Sequence, residues 1–577
     1  MATPADFFQA FEQAAEEHPE TATQPNAVFR FVLSGDEGGT WTLDLRKGTA
    51  SGFVSPGGGP PEDASIYVDS DDWVALTTGR MNPMRAFMSG RIRVDGDLKL
   101  AVNLPNVVGM VDGYGIGSRN PLSVTTGRLR ALWAKATAPP PTIEPMPACV
   151  RGRVPWVGAG HTLSRDPTAF FQRCRERHGD TFVVDAFGYR LLCLFSPAGV
   201  RALWRLPEED ASKALADLTL LSHKVPIELF EGRRTLPHDL FGRDDVEVYL
   251  GHLRASVDTE LAALGEHGRF EVFEFTKRLA HRMGLASWGG SRAISQRQLD
   301  LLIQHFEQLD AAESFVHPHR AMLAAATGKT REKRAMHRIE RILGDAVAAR
   351  TGDVDFGADL FDRICASWND VPSPEREIGI ARDVIVVHMG SQTNLFAAMA
   401  WTFIYALDAP SVVDSVRRGD DRVLDPFSHE AIRMSQRSIV MRRVVRPIDM
   451  SDETKTYRVE PGTLITTMLS VTNRSACPGL DHFNAENFRG STFVRAQELP
   501  ARELVTTYGH GKHMCPAHRF STSAIRHAVA ELFRRYEFEA RFSNPKPLTR
   551  QIGGVARADQ PCEVEYHARN EFDMTAN

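Results

Sequence analysis

The run Tyr508-Gly509-His510-Gly511-Lys512-His513-Met514-Cys515-Pro516-Ala517 sets a single cysteine at the mouth of an amphipathic helix. Phe520, Ala524, Ile525, Ala528, Val529, Leu532 and Phe533 recur at helical spacing downstream, and Pro516 suits the first helical position. The sulfur then lies at a positive helix N-terminus, which favours the thiolate. Gly511, four residues before it, lets the loop run close to whatever the sulfur faces. The plain alternative is a buried structural cysteine, a residue type common in cores.

Two further motifs weigh against that alternative. Glu430 and Arg433 stand at i and i+3 of a helical segment, where acid and base can pair. Phe483-Asn484-Ala485-Glu486-Asn487-Phe488 then offers a third partner between that helix and the cysteine. A Glu-x-x-Arg pair alone is usually a solvated helical pair; with this meander and cysteine loop behind it, it reads as part of a heme-thiolate site.

Over roughly residues 150–570 these motifs resemble the cytochrome P450 family. The resemblance implies Cys515 as the iron ligand, Tyr508 and Gly511 as parts of the cofactor loop, and Glu430 with Arg433 as a structural pair. It implies His513 and Arg442 as propionate partners, with Arg443 as the alternative to Arg442, and separate ferredoxin- or reductase-type proteins as electron donors. Two positions depart from the family pattern: Ala517 replaces a glycine, and Asn487 replaces an arginine. Asparagine can hydrogen-bond but lacks the charged fork of arginine.

At 577 residues the chain is too long for one ordinary domain, and its net charge of −5 gives no reason to expect a nucleic-acid partner. Seven cysteines, odd in number and without CxxC pairs, indicate neither a disulfide framework nor a zinc site, and fit a reducing compartment. The start is acidic-leaning and lacks a basic segment followed by an apolar one, and no run approaches the ~20 apolar residues of a spanning helix. A soluble, cytoplasmic protein without a transmembrane anchor is expected.

Ala138-Pro139-Pro140-Pro141-Thr142-Ile143-Glu144-Pro145-Met146-Pro147 reads as a semi-rigid linker. It divides the chain into a domain at 1–137, a linker at 138–149 and a domain at 150–577. Upstream, Phe7, Phe8, Phe11 and Ala14 share a helical face, and Phe29–Leu33, Trp41–Leu45 and Ile66–Val68 read as strands. A helix is expected through Asp72–Leu76, a second from Asn82, and an alternating strand over 90–97. The glycines near residue 57 lack the Lys-Ser/Thr of a phosphate loop and mark a turn. Trp41-Thr42-Leu43-Asp44-Leu45, the Gly79-x-Met81-Asn82-Pro83 step and Phe87-Met88-x-Gly90-x-Ile92-x-Val94-x-Gly96-Asp97 resemble the sterol carrier protein 2 family. That resemblance implies a small α/β domain with a tunnel for a sterol or acyl chain; the other reading is a tether or dimerisation module with a filled core.

The second domain reads as mainly helical with small β-sheets. Helical patterns cover Phe171–His178, Pro197–Trp204, Val246–Leu264, Phe273–Leu285, Gln296–Ala325 and Arg331–Thr351, with a strand pair at Phe182–Phe187 and Leu191–Phe195. Arg382–Leu407 reads as one long core helix stopped by Asp408-Ala409-Pro410. Ser391-Gln392-Thr393-Asn394 interrupts its apolar run and resembles the P450 branch that holds cholesterol 7α-hydroxylase and prostacyclin synthase. Thr393 and Asn394 are the candidate catalytic residues. In a monooxygenase they organise proton delivery during oxygen activation; in a lipid peroxide isomerase Asn394 orients the peroxide and no reductant is needed. The favoured reading is a heme monooxygenase of a sterol or other large lipid with a fused carrier, against the isomerase and a non-catalytic heme or lipid sensor.

Overall fold

The computed structural model describes residues 3–96 and 143–569, apart from short segments at 24, 50–51, 78–80, 82–85, 87–90, 153–156, 236–239, 242–244, 290–293, 310–326 and 349–359. The expected helix from Asn82, much of the Gly79–Asp97 pattern and the boundary at residue 137 lie largely outside the described residues.

In the first domain, helix α1 (Pro4–Glu17) starts at a reciprocal cap: Asp6 N donates to Thr3 Oγ1 at 3.2 Å, and Thr3 N to Asp6 Oδ2 at 2.8 Å. Five strands follow, β1 (Val28–Ser34), β2 (Gly39–Asp44), β3 (Val54–Pro56), β4 (Ala64–Asp69) and β5 (Ile92–Gly96), in the order β3-β2-β1-β4-β5. Only β1 and β4 run parallel. Helix α2 (Ser70–Thr77) links β4 towards β5. The register sets Phe31 opposite Trp41 and Ile66, so alternation gives one apolar face, and α1 lays Phe7, Phe8 and Phe11 on it. Phe8 stacks on Trp41 and Trp73 at ring distances of 4.7 and 5.5 Å. The opposite face is polar, with Arg30 paired to Glu62 and Arg93 over the Tyr67 ring.

The tail of the expected linker is not a free tether. Ile143–Glu144 (β6) pairs in parallel with Thr456–Tyr457, and Cys149–Val150 (β7) pairs with Val183–Val184. Proline excludes helix there, yet it leaves these flanking residues free to add as edge strands.

The second domain holds a six-stranded sheet, ordered β10 (Ala211–Ser212), β12 (Ile439–Val444), β15 (Leu464–Met468), β9 (Tyr189–Leu194), β8 (Thr181–Ala186) and β7. A three-stranded sheet joins β13 (Ile448–Ser451), β14 (Thr456–Val459) and β6; another joins β11 (His267–Glu271) to Glu563–Ala568 and Tyr536–Ala540. Helices form the bulk: α3 (Val272–Trp288), α4 (Glu375–Leu407), α5 (Leu424–Ser435) and α6 (His518–Arg535) meet in one apolar core. Helix α4 begins at Glu375, earlier than the apolar pattern alone marks, because its first turns carry Glu375, Arg376 and Glu377. The pattern over Gln296–Ala325 is helical to Leu309, with 310–326 outside the described residues.

No single described helix is long and apolar enough to cross a membrane; α4 with Pro410–Arg417 passes only as a pair bent by 106°. No disulfide joins the seven cysteines among the described residues.

Candidate active site

Cys515 sits in a turn held by its own N–H, which donates to Tyr508 O at 2.7 Å. Helix α6 starts at His518, not at Pro516, with Ala517 as its N-cap; His518 N reaches back to Cys515 O at 3.3 Å. The sulfur thus lies just ahead of the helix mouth. Burial pushes the thiol up and outweighs the Ala517 N–H that lowers it, so the helix end does not by itself secure the anion.

Gly511 has φ +57°, with nothing within 4 Å of where a Cβ would stand, and Gly509 has φ +90°, where a Cβ would lie 2.5 Å from His513 O. Both positions therefore need glycine. The Tyr508 ring packs edge-on against His429 at 5.5 Å, and its hydroxyl accepts from Thr522 Oγ1 at 3.4 Å.

Strand alternation decides between the two candidate arginines. Arg442 is 1% exposed and meets His513 Nε2 at 2.5 Å, while Arg443 points to the other side and donates to Thr219 Oγ1 at 3.3 Å. Glu208, absent from the sequence reading, joins the pair: it accepts from Arg442 Nη1 at 3.1 Å and lies 3.7 Å from His513 Nε2. Burial first, then the Arg442 charge, holds the His513 imidazole down to about 4. Arginine only donates, so His513 Nε2 accepts from Arg442, and the buried guanidinium is the cationic group at this corner.

The Glu430–Arg433 pair is closed on all sides. Both side chains are fully buried, joined by two bonds of 2.7 Å. Arg433 also donates to Asn473 O, Leu480 O and His482 O at 2.6, 2.7 and 3.2 Å. Glu430 Oε1 accepts from Asn484 N and Asn487 Nδ2, both at 2.9 Å. The asparagine therefore fills the third place without a charge, and backbone carbonyls absorb the guanidinium donors.

Helix α4 is buried along most of its length, yet Gly390 and Asn394 are exposed and Val386, Met389, Ser391 and Thr393 only half-buried, which leaves an open strip over 386–394. A Cβ on Gly390 would meet nothing within 4 Å. Thr393 Oγ1 donates to Met389 O at 3.2 Å, and Gln392 turns away to donate to Lys277 O at 3.0 Å. Asn394 Oδ1 accepts from Val555 N at 2.9 Å. Behind the strip, Trp288 Nε1 donates to His388 Nδ1 at 3.1 Å and also packs on Phe520, near the start of α6. The cysteine helix and the open strip thus belong to one cluster.

Two groups that sequence reasoning missed shape the strip. His281 Nδ1 meets His388 Nε2 at 2.9 Å, both rings buried. Because Trp288 only donates, His388 carries its proton on Nε2 and donates it to His281. Asp383, fully buried, accepts from Arg233 Nε at 3.0 Å, Trp368 Nε1 at 2.9 Å and Thr235 N at 3.2 Å. An acid within the apolar Ile380–Ile385 run was the available signal.

Residues 7–109 match the SCP-2 sterol transfer family. Within that part, hydroxysteroid dehydrogenase-like protein 2 of Xenopus tropicalis is 39% identical over 108 residues, 18% of this chain and 24% of that protein. The remainder is similar to 24-hydroxycholesterol 7-alpha-hydroxylase of Homo sapiens, 20% identical over 455 residues, covering 73% of this chain and 94% of that protein. The Mus musculus protein of the same name is 22% identical over 455 residues, covering 73% of this chain and 93% of its own length. The chain joins an SCP-2 domain to a cytochrome P450 fold. A flat, acidic cofactor suits the P450 domain on three observations: the open strip of α4, the space beside Gly511, and the buried Arg442 charge beside His513.

Proposed function

We propose that the P450 domain is a heme-thiolate monooxygenase that hydroxylates a sterol or another large lipid carried by the SCP-2 domain. The observation that carries this reading is the placement of Cys515 just ahead of α6, a helix that shares one apolar core with α4 and its open strip. Similarity to proteins named as sterol hydroxylases supports the substrate class, as does an SCP-2 domain on the same chain.

Cys515 would hold the heme iron, and Arg442 and His513 its propionates; heme so held supplies oxygen activation, with electrons from separate proteins. The chain's own residues do the rest. Val555 fixes the Asn394 amide so that Oδ1 is occupied and Nδ2 remains the donor on the open strip, where it orients a polar group or water. Thr393 keeps its proton on Met389 O and offers lone pairs. Val386 and Met389 back the strip with apolar surface, and Glu430 with Arg433 hold the framework that carries the cysteine loop.

The test is a binding screen by heme absorbance with sterols, fatty acids and lipid hydroperoxides, followed by turnover with a surrogate ferredoxin system. Oxygen- and reductant-dependent hydroxylation of a sterol or lipid is the expected result. Rapid anaerobic conversion of lipid hydroperoxides, with no hydroxylation when reductant is supplied, would replace this reading with the isomerase.

A further inference from the structure

Ile227 opens a short turn, Ile227–Phe230, in which Leu229 and Phe230 are buried in the P450 core. Ile227 itself is half-buried and touches two cores at once: that of the P450 domain, and the SCP-2 cluster of Phe7, Phe8, Phe31, Trp73 and Val94. Within the P450 domain the segment is fastened down. Arg382 Nη1 donates to Glu228 O at 2.9 Å, Lys333 Nζ pairs with Glu228 Oε1 at 2.7 Å, and Arg233 and Thr235 bind Asp383 as described above. Arg382 and Asp383 lie one helical turn before Val386, where the open strip of α4 begins.

Charge works against this contact. Asp95 on β5 acts on Glu231, whose carboxyl burial raises while Arg382 opposes the rise. Asp95 is exposed and pairs with Arg93 at 3.1 Å. Each acid keeps an arginine partner, Glu231 with Arg382 at 3.9 Å, so the remaining repulsion is small and the single apolar contact makes a reversible seat. Weak contact is enough here, because a tether keeps the partner at roughly millimolar effective concentration, without the ~1,000 Å² a free partner needs.

We propose that the SCP-2 domain docks onto the P450 domain through Ile227, on a segment wired to the start of the open strip, so that a carried lipid is presented beside α4. The lipid part of this inference rests on the monooxygenase reading; the docking part does not.

Amide hydrogen exchange by mass spectrometry on the full chain tests it. Ile227→Glu should raise exchange about tenfold in both Ile227–Phe230 and β5, the latter on the other domain. Asp95→Lys, which lies outside the P450 core and turns the repulsion into attraction, should slow exchange at Ile227–Phe230 by about two- to threefold. Loosening confined to Ile227–Phe230 in Ile227→Glu, with Asp95→Lys silent, would overturn docking, since it marks only a local defect. With sterol supplied below the chain concentration, Ile227→Glu should hydroxylate about tenfold more slowly and converge on the parent rate as sterol saturates. Equal rates at limiting sterol would overturn presentation. The exchange readout needs neither cofactor nor turnover, so a chain that docks but never hydroxylates removes the monooxygenase reading alone.

Discussion

Asn394 of the long helix and Val555 of the C-terminal turn are joined by one hydrogen bond, Val555 N to Asn394 Oδ1 at 2.9 Å. The bond fixes which end of the amide faces the open strip. It also explains Gly554, at φ +65°, where a Cβ would stand 2.8 Å from Asn394 Oδ1. The residue singled out as a proton-delivery group is thus also a clasp between α4 and the turn.

Asn394→Leu removes both roles, and Asn394→Asp separates them, since a carboxylate still accepts from Val555 but offers no N–H. Asn394→Leu should lose about 1 kcal/mol of stability and uncouple reductant consumption from product. Asn394→Asp should keep parental thermal stability and heme spectrum yet uncouple comparably. Full coupling in Asn394→Asp would assign the residue to the clasp alone.

Glu430→Ala strands Arg433 in a fully buried site, where breaking a pair costs about 3–5 kcal/mol. Little folded, heme-loaded protein should be recovered. Asn487→Ala, which removes one of several bonds to Glu430, should cost about 1–3 kcal/mol and leave a foldable chain. Normal heme content with a purely kinetic defect in Glu430→Ala would move the pair into catalysis.

The His281–His388 pair predicts an acid-side loss of stability. Burial lowers both imidazoles, His281 to about 3 and His388 well below its usual 6.5. Folded, the pair stays neutral while the unfolded chain binds protons below about pH 6.5. Its contribution is therefore complete above that pH and is lost as pH falls towards 3. His281→Leu should flatten the slope of unfolding free energy between pH 6 and 4 by about 1.4 kcal/mol per pH unit. An unchanged slope would show that carboxylates alone set it.

In the SCP-2 domain, Phe8→Ala removes a ring stacked on two tryptophans and should cost about 3–5 kcal/mol, read as a lower melting transition of that domain. Lipid binding is a separate measurement: residues 1–137 expressed alone should bind a fluorescent sterol or fatty-acid probe. A folded domain indifferent to every lipid tested would favour the tether.

Local pattern carried the architecture because each signal was short-range. Alternation placed Phe29, Phe31 and Leu33 on one face of β1, and apolar continuity marked α4. Spacing marked Glu430 and Arg433 as a pair, and the structure adds Asn487 to it. What stayed hidden was long-range or set by competing energies. Glu208 reaches Arg442 from 234 positions away, and Val555 reaches Asn394 from 161. The edge-strand pairing of Ile143–Glu144 stayed hidden because it depends on the distant edge at Thr456–Tyr457. The helix-end argument for Cys515 omitted burial, which dominates.

The most direct test of the heme-thiolate account is the absorbance of the purified, reduced full chain under carbon monoxide, compared with Cys515→Ala. The account predicts a strongly red-shifted Soret band in the parent that disappears in the variant. Persistence of that band in Cys515→Ala would contradict it.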